Sequence, residues 1–157
     1  MSTLHRAELE VFADYNQFYV QDGGVFPDAP SEWSDADVER RVKVEANVVV
    51  VCPIRNMSVP VEIEVHTSEP SFSLAEYDHA ARCSLALPSG YLQVHECTGG
   101  ERLHLSVEPG TYGVVALFSH LGSVSENGLK GEDRYRVLLW PSMESELQIL
   151  KAWPGEP

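Results

Sequence analysis

The stretch Val59-Pro60-Val61-Glu62-Ile63-Glu64-Val65-His66-Thr67 decides the fold class. Val59, Val61, Ile63 and Val65 fall on one side of a period-two pattern, and Glu62, Glu64 and His66 fall on the other. That alternation predicts a half-buried antiparallel strand, one face on a core and an acidic face in water. Leu103, Leu105 and Val107 alternate with Arg102, His104, Ser106 and Glu108 in the same manner. Residues 47–52 read NVVVVC, β-branched on both faces, which predicts a central or covered strand. Residues 110–119, 91–97, 82–87 and 134–140 complete the set, with residues 10–21 as the first strand.

Turn chemistry joins these strands closely. Pro88-Ser89-Gly90 forms a tight turn, and Glu108-Pro109-Gly110-Thr111 has proline and glycine where a type II turn takes them. Asn127-Gly128 lies in a polar stretch, residues 119–132, that reads as a longer loop. About eight short strands at this spacing predict an all-β fold, a two-sheet antiparallel β-sandwich with one or two short helices. Ser34-Asp35-Ala36-Asp37 opens one helix as a capping box, with Asp37 in place of the usual Glu, and leads into Val38-Glu39-Arg40-Arg41-Val42. Residues 74–81, LAEYDHAA, read as the second. Residues 1–141 are expected to form a single domain, and residues 142–157 a C-terminal tail that is amphipathic and frayed at its end.

Charge narrows the partners. Lys+Arg 11 against Asp+Glu 24 leaves a net charge of −13 over 157 residues. Such a field repels nucleic acid and anionic membrane and attracts cationic surfaces, although acidity also serves plain solubility. The three cysteines, Cys52, Cys83 and Cys97, share no CxxC spacing and lie in or beside apolar runs, so buried structural thiols are expected. The N-terminal MSTLHRAELEVF has no apolar signal core, and no apolar stretch reaches membrane-spanning length. With unpaired cysteines as well, the expected location is cytoplasmic.

Catalytic and cofactor motifs are not found. The six histidines match neither HExxH nor the His/Cys zinc spacings, and no calcium loop of EF-hand type occurs. Glu64, His66 and Asp78 or His79 would make a metal site only if the fold gathered them; solvated surface histidines are the expectation. No GxSxG elbow is present. His95 and Cys97 share one strand face but lie about 7 Å apart by strand rise, too far for a hydrogen bond. Asp22-Gly23-Gly24 and Thr98-Gly99-Gly100 lack the strand–turn–helix context of a phosphate loop. No cofactor, metal or catalytic residue is therefore assigned.

One signal is left. Between Ala7 and Glu39 the chain carries nine carboxylates and no lysine or arginine, with six aromatic residues among them. In residues 14–22, DYNQFYVQD, one strand face holds Asp14, Asn16, Phe18 and Val20, and the other holds Tyr15, Gln17, Tyr19 and Gln21. Alternating tyrosine and glutamine suits a partly wet contact surface; the competing reading has Phe18 and Val20 in the core and the tyrosines over a sheet edge. Phe12, Phe18 and Val20 are expected to anchor the strand inward. The candidate partner-binding residues are Asp14, Tyr15, Tyr19, Asp22, Asp28, Glu32, Trp33, Asp35 and Asp37.

The segment FADYNQFYVQD, then Trp33-Ser34-Asp35 opening a short helix, then NVVVVCPIRNMSVPVEIEVH, resembles a family of small bacterial β-sandwich proteins of uncharacterised activity. The closing PGTYGVVALFSH and EDRYRVLLWP do so as well, and the likeness spans roughly residues 11–141. More remotely, the order of aromatic strand, Trp-Ser-Asp helix and paired strands is similar to competence protein J, an inhibitor of a competence-associated DNA-entry nuclease. The resemblance implies a shared fold and, more distantly, nuclease inhibition. It carries over no inhibitory residue.

Two functions follow as expectations. The first is a non-enzymatic acidic binder, an inhibitor or immunity-type partner of a basic nuclease, with Tyr15, Tyr19 and Trp33 as hot spots inside an acidic field. The second is a β-sandwich that binds a divalent cation, a carbohydrate or a peptide in end loops such as residues 22–33 and 119–133. An enzyme assembled from distant residues ranks last. Exposed edge strands leave room for a homodimer.

Overall fold

The fold is seen in a computed structural model that describes residues 3–25, 30 and 32–155. Among the described residues, eleven strands form two sheets. The first sheet has the order β1 (Thr3–Phe12), β5 (Ser58–His66), β10 (Arg134–Pro141), β9 (Gly110–Ser119), β6 (His79–Leu87), β11 (Gln148–Lys151). The second has the order β3 (Val42–Glu45), β4 (Val48–Val51), β2 (Phe18–Asp22), β7 (Tyr91–Glu96), β8 (Glu101–Ser106). Val59, Val61, Ile63 and Val65 of β5 face Phe18, Val20, Val49 and Val51 of the second sheet across a core that also holds Phe118 and Tyr135. The two-sheet β-sandwich read from the alternation is the fold. All pairings are antiparallel except β5 with β10, where Val61 to Val65 run parallel to Tyr135 to Leu139. The long excursion through β6 to β9 supplies the crossover that a parallel pair needs.

Four local readings change. The expected first strand, residues 10–21, is two strands in different sheets. β1 ends at Phe12, the chain turns at Asp14–Asn16, and β2 starts at Phe18 on the opposite sheet. Phe18 and Val20 face the core as expected, but Phe12 is 38% exposed and Val11 takes the inward place. The first helix, α1, spans Asp35–Arg40; Arg41 leaves it in the left-handed region at φ 62° and Val42 opens β3. The second expected helix contracts to a turn at Leu74–Glu76, because His79, Ala80 and Ala81 pair with Phe118, Leu117 and Ala116 as the start of β6. Beyond Pro141, β11 adds an edge strand to β6.

The outer face of the first sheet is less wet than β5 suggested. Glu64 and His66 are 5% and 6% exposed. Glu64 accepts from Arg136 Nε at 2.7 Å, Arg136 Nη1 donates to the Tyr77 hydroxyl at 2.9 Å, and Trp140, Leu138 and Val115 pack beneath Phe72 and Leu74. His79 is wholly buried, its Nε2 donating to Arg40 O and its Nδ1 accepting from the Trp153 amide, so the surface placement expected of the histidines fails for His66 and His79. Asp78 is turned to the Leu121 amide instead of joining Glu64 and His66.

Candidate partner-binding surface

The crossing between sheets builds one lip of a groove. Tyr15 and Asn16 both stand at φ 56°, a conformation that asparagine adopts readily and a bulky residue such as Tyr15 at a cost of roughly 1–2 kcal/mol. The turn is held from both sides. Asp14 Oδ1 accepts from the Tyr15 amide at 3.1 Å and its Oδ2 from the Thr98 hydroxyl at 2.8 Å. Asn16 Nδ2 donates to Pro53 O at 3.1 Å. The result projects Tyr15 outward, 68% exposed.

Helix α1 builds the other lip. Ser34 Oγ accepts from the Asp37 amide at 3.1 Å and Asp37 Oδ2 accepts from the Ser34 amide at 2.9 Å, the reciprocal capping box read from the sequence. Lys43 of β3 donates to Asp37 at 2.7 Å and to Glu32 O at 2.7 Å, and its ammonium sits 5.3 Å from the Trp33 ring centre. The Lys43 hydrogen bond, with those of Ser34, holds the Asp37 carboxyl down at about 2. Trp33 packs on Tyr19, Val48 and Val50 of the outer sheet face. Between these lips lies a groove of about 300 Å³ lined by Tyr15, Asn16, Gln17, Trp33, Val38, Arg41, Cys52 and Pro53.

The structure divides the candidate residues. Tyr15 and Trp33 meet at the groove, with Asp35 and Glu32 exposed beside it and Asp14 beneath Tyr15. Tyr19 is only 8% exposed, its hydroxyl donating to Gln17 Oε1 at 3.0 Å and lying 3.2 Å from Cys97 Sγ, so it supports the surface from below and cannot be a contact residue. Burial, then the Cys97 contact, pushes that phenol well up. Asp22 is fully buried: Oδ1 accepts from the Gly24 amide at 2.8 Å, and Oδ2 from the Ser89 amide and hydroxyl at 3.0 and 2.9 Å. It clamps two loops together and is removed from the contact set. Asp37 is spent on the cap and on Lys43. Asp28 lies outside the described residues. Of the acids in the end loops, Asp22 and Asp133 already have all their partners inside the protein.

Val38, Arg41, Cys52 and Pro53 belong to the groove and were not legible as such. Arg40-Arg41 reads as a basic helix end, and only the left-handed turn at Arg41 sends that side chain inward, to 3% exposure. Burial pushes the thiols of Cys52 and Cys83 up to about 12, which fits structural cysteines.

A hydroxyl–imidazole–carboxylate line does exist elsewhere. Thr3 Oγ1 lies 3.2 Å from His66 Nδ1, and His66 Nε2 lies 3.0 Å from Glu64 Oε1. Burial raises Glu64, but hydrogen bonds from Arg136 outweigh it and hold the carboxyl down at about 2, while burial and Glu64 push Glu62 up. None of the three lines the adjacent groove of about 540 Å³ formed by Arg6, Glu8, Glu62, Tyr77, Arg134 and their neighbours. Glu64 is bound by Arg136, which does line that groove, but the hydroxyl, imidazole and carboxylate of the line stay outside it, so the line reads as a structural network. Among the described residues, no group of three or more His, Cys, Asp or Glu is placed to hold a metal ion.

No family model matches the sequence, and no curated protein matches it significantly. Solved structures do. The crystal structure of ComJ from Bacillus subtilis, inhibitor of the DNA degrading activity of NucA, superposes with a TM-score of 0.67 at 16% identity, over 90% of this chain and 98% of that one. This chain has the ComJ fold. A second structure, described as crocagin biosynthetic gene J, superposes with a TM-score of 0.60 at 22% identity, over 91% of this chain and 100% of that one. Both likenesses run nearly end to end, so the ComJ-like fold accounts for both sheets, and the remote similarity to competence protein J expected from the sequence holds at the level of structure.

Proposed function

We propose that this chain is a non-enzymatic inhibitor or immunity-type partner that covers the cleft of a basic nuclease with the surface around Tyr15. The ComJ fold supports this reading without assigning it, because identity at this level speaks for fold alone. The observation that carries it is Tyr15 itself, a bulky residue held at φ 56° by Asp14 and Asn16 and left 68% exposed over a groove. Strain of that kind persists where the surroundings enforce it, and it places an aromatic anchor in contact range of a partner. Tyr15, Trp33 and Val38 form the apolar centre, and Asp14, Glu32, Asp35 and Glu39 supply the negative field. The −13 charge steers a cationic partner inward.

The test is a DNA-degradation assay with purified nucleases, NucA as reference and the nuclease encoded nearest to this chain's gene, alongside stopped-flow association at rising salt. Inhibition at one-to-one stoichiometry, an association rate that falls with salt, and loss of inhibition in Tyr15→Ala are expected. Full nuclease activity under excess of this chain, for both enzymes, would sink the proposal.

A further inference from the structure

The floor of the Tyr15 groove carries a charge that pairs with no carboxylate among the described residues. Arg41 is 3% exposed, and among the described residues its contacts are Gly155 O, 3.1 Å from Nη2, and the Trp153 ring, 5.0 Å from the guanidinium carbon. Among the described residues its buried Nε has no acceptor. The nearby carboxylate of Asp37 is taken by Lys43 and the Ser34 amide. A buried guanidinium without a counter-ion costs several kcal/mol in effective desolvation, and burial accordingly lowers its proton affinity. Such an orphaned donor in a native core calls for an acceptor supplied from elsewhere.

The groove states what that acceptor is. Its walls are Tyr15, Trp33, Val38 and Pro53, and its volume of about 300 Å³ is at the bottom of the range for small-ligand sites. An anion is the natural mate of a guanidinium. A free polyanion must approach against a net charge of −13, whereas a single carboxylate on a cationic protein is carried in by its carrier's own charge. We infer that the Arg41 groove is the receptor for one acidic side chain, Asp or Glu, presented by the basic protein partner between Tyr15 and Trp33. The inference rests on the inhibitor-type reading for the partner's nature, and it adds a specificity element to it: a basic surface with one acid at its centre.

Two synthetic peptides test it on the full chain: acetyl-Lys-Lys-Glu-Lys-Lys-amide and the same peptide with Gln at the centre. Binding is followed by the ¹⁵N shift of Arg41 Nε and by Trp33 indole shifts, and the readout is the ratio of the two affinities, which cancels the general attraction of lysines. The Glu peptide should bind about tenfold tighter than the Gln peptide. The ratio should fall toward one in Arg41→Met. Because that variant removes a buried contact, Val38→Glu at the exposed rim serves as the second, placing a carboxylate of the chain's own at the groove mouth. A ratio of one in the wild type, or a ratio unchanged in both variants, overturns the inference. So does a preference that emerges only in Glu156→Gln, which would give the groove to the chain's own acid. The peptides read the groove without any nuclease, and the inhibition assay reads the function without the peptides, so either can fail alone.

Discussion

Arg55 Nε and Asp133 Oδ1 lie 2.6 Å apart, with the Asp133 side chain fully enclosed. The other Asp133 oxygen accepts from the Tyr135 hydroxyl at 2.5 Å, and that hydroxyl in turn accepts from the Ile54 amide at 3.0 Å. The pair thus fixes residues 53–55, and with them Pro53, whose carbonyl holds Asn16 and the Tyr15 turn. Asp133→Ala leaves a buried guanidinium unpaired and should cost about 3–5 kcal/mol in urea unfolding. Tyr135→Phe should cost less, about 1–3 kcal/mol, through the orphaned Ile54 amide. If Asp133→Ala shifted the midpoint no more than a surface substitution does, the pair would be a bystander.

Tyr15 separates stability from binding. Replacing it by glycine relieves the positive-φ cost of roughly 1–2 kcal/mol and loses part of that gain to unfolded-chain freedom. Tyr15→Gly is therefore expected to unfold at the wild-type denaturant concentration or slightly above it, while its affinity for the nuclease drops by about tenfold or more. A clear loss of stability in this variant would show that the tyrosine ring serves the fold.

Asp22 and Asp35 are both acids of the N-terminal third, with opposite roles. Asp22→Ala strands the Gly24 and Ser89 amides and should lower stability by about 1–3 kcal/mol. Its effect on association rate should be no larger than that of any single charge. Asp35→Lys should leave the melting temperature within a degree or two and slow association most at low salt. Equal behaviour of the two variants in stopped-flow and melting would contradict their placement.

The capping carboxylate predicts an acid response. Asp37 titrates at about 2 in the folded chain, chiefly through Lys43, against ~3.9 for an aspartate in an unfolded chain. A depressed folded value stabilises the native state above the unfolded value, and that contribution is lost as pH falls from about 4 toward about 2. Amide protection at the start of α1, relative to the intrinsic exchange rate, should fall across that window. Lys43→Met should move the Asp37 carboxyl titration upward in NMR; an unmoved midpoint would mean that Lys43 is not the cause.

The alternation of Val59, Val61, Ile63 and Val65 against Glu62, Glu64 and His66 determined the fold class, because a period of two can bury only one face of a strand. The Ser34–Asp37 cap was equally legible, since both partners lie within one turn of chain. The polar stretch between β9 and β10 could be read as a loop from its composition. What could not be read locally was which sheet each strand joins. Residues 10–21 carry an unbroken strand pattern, and only the packing of two sheets against each other forces the break at Tyr15. The fate of the acids was hidden for the same reason. Asp22 and Asp35 are alike as letters, but Ser89, 67 positions away along the chain, encloses one, and nothing encloses the other. Arg41 shows the division most plainly. Sequence placed a cation at a helix end, and the tertiary fold turned it inward, because a left-handed residue at the helix stop aims its side chain at the core instead of at water.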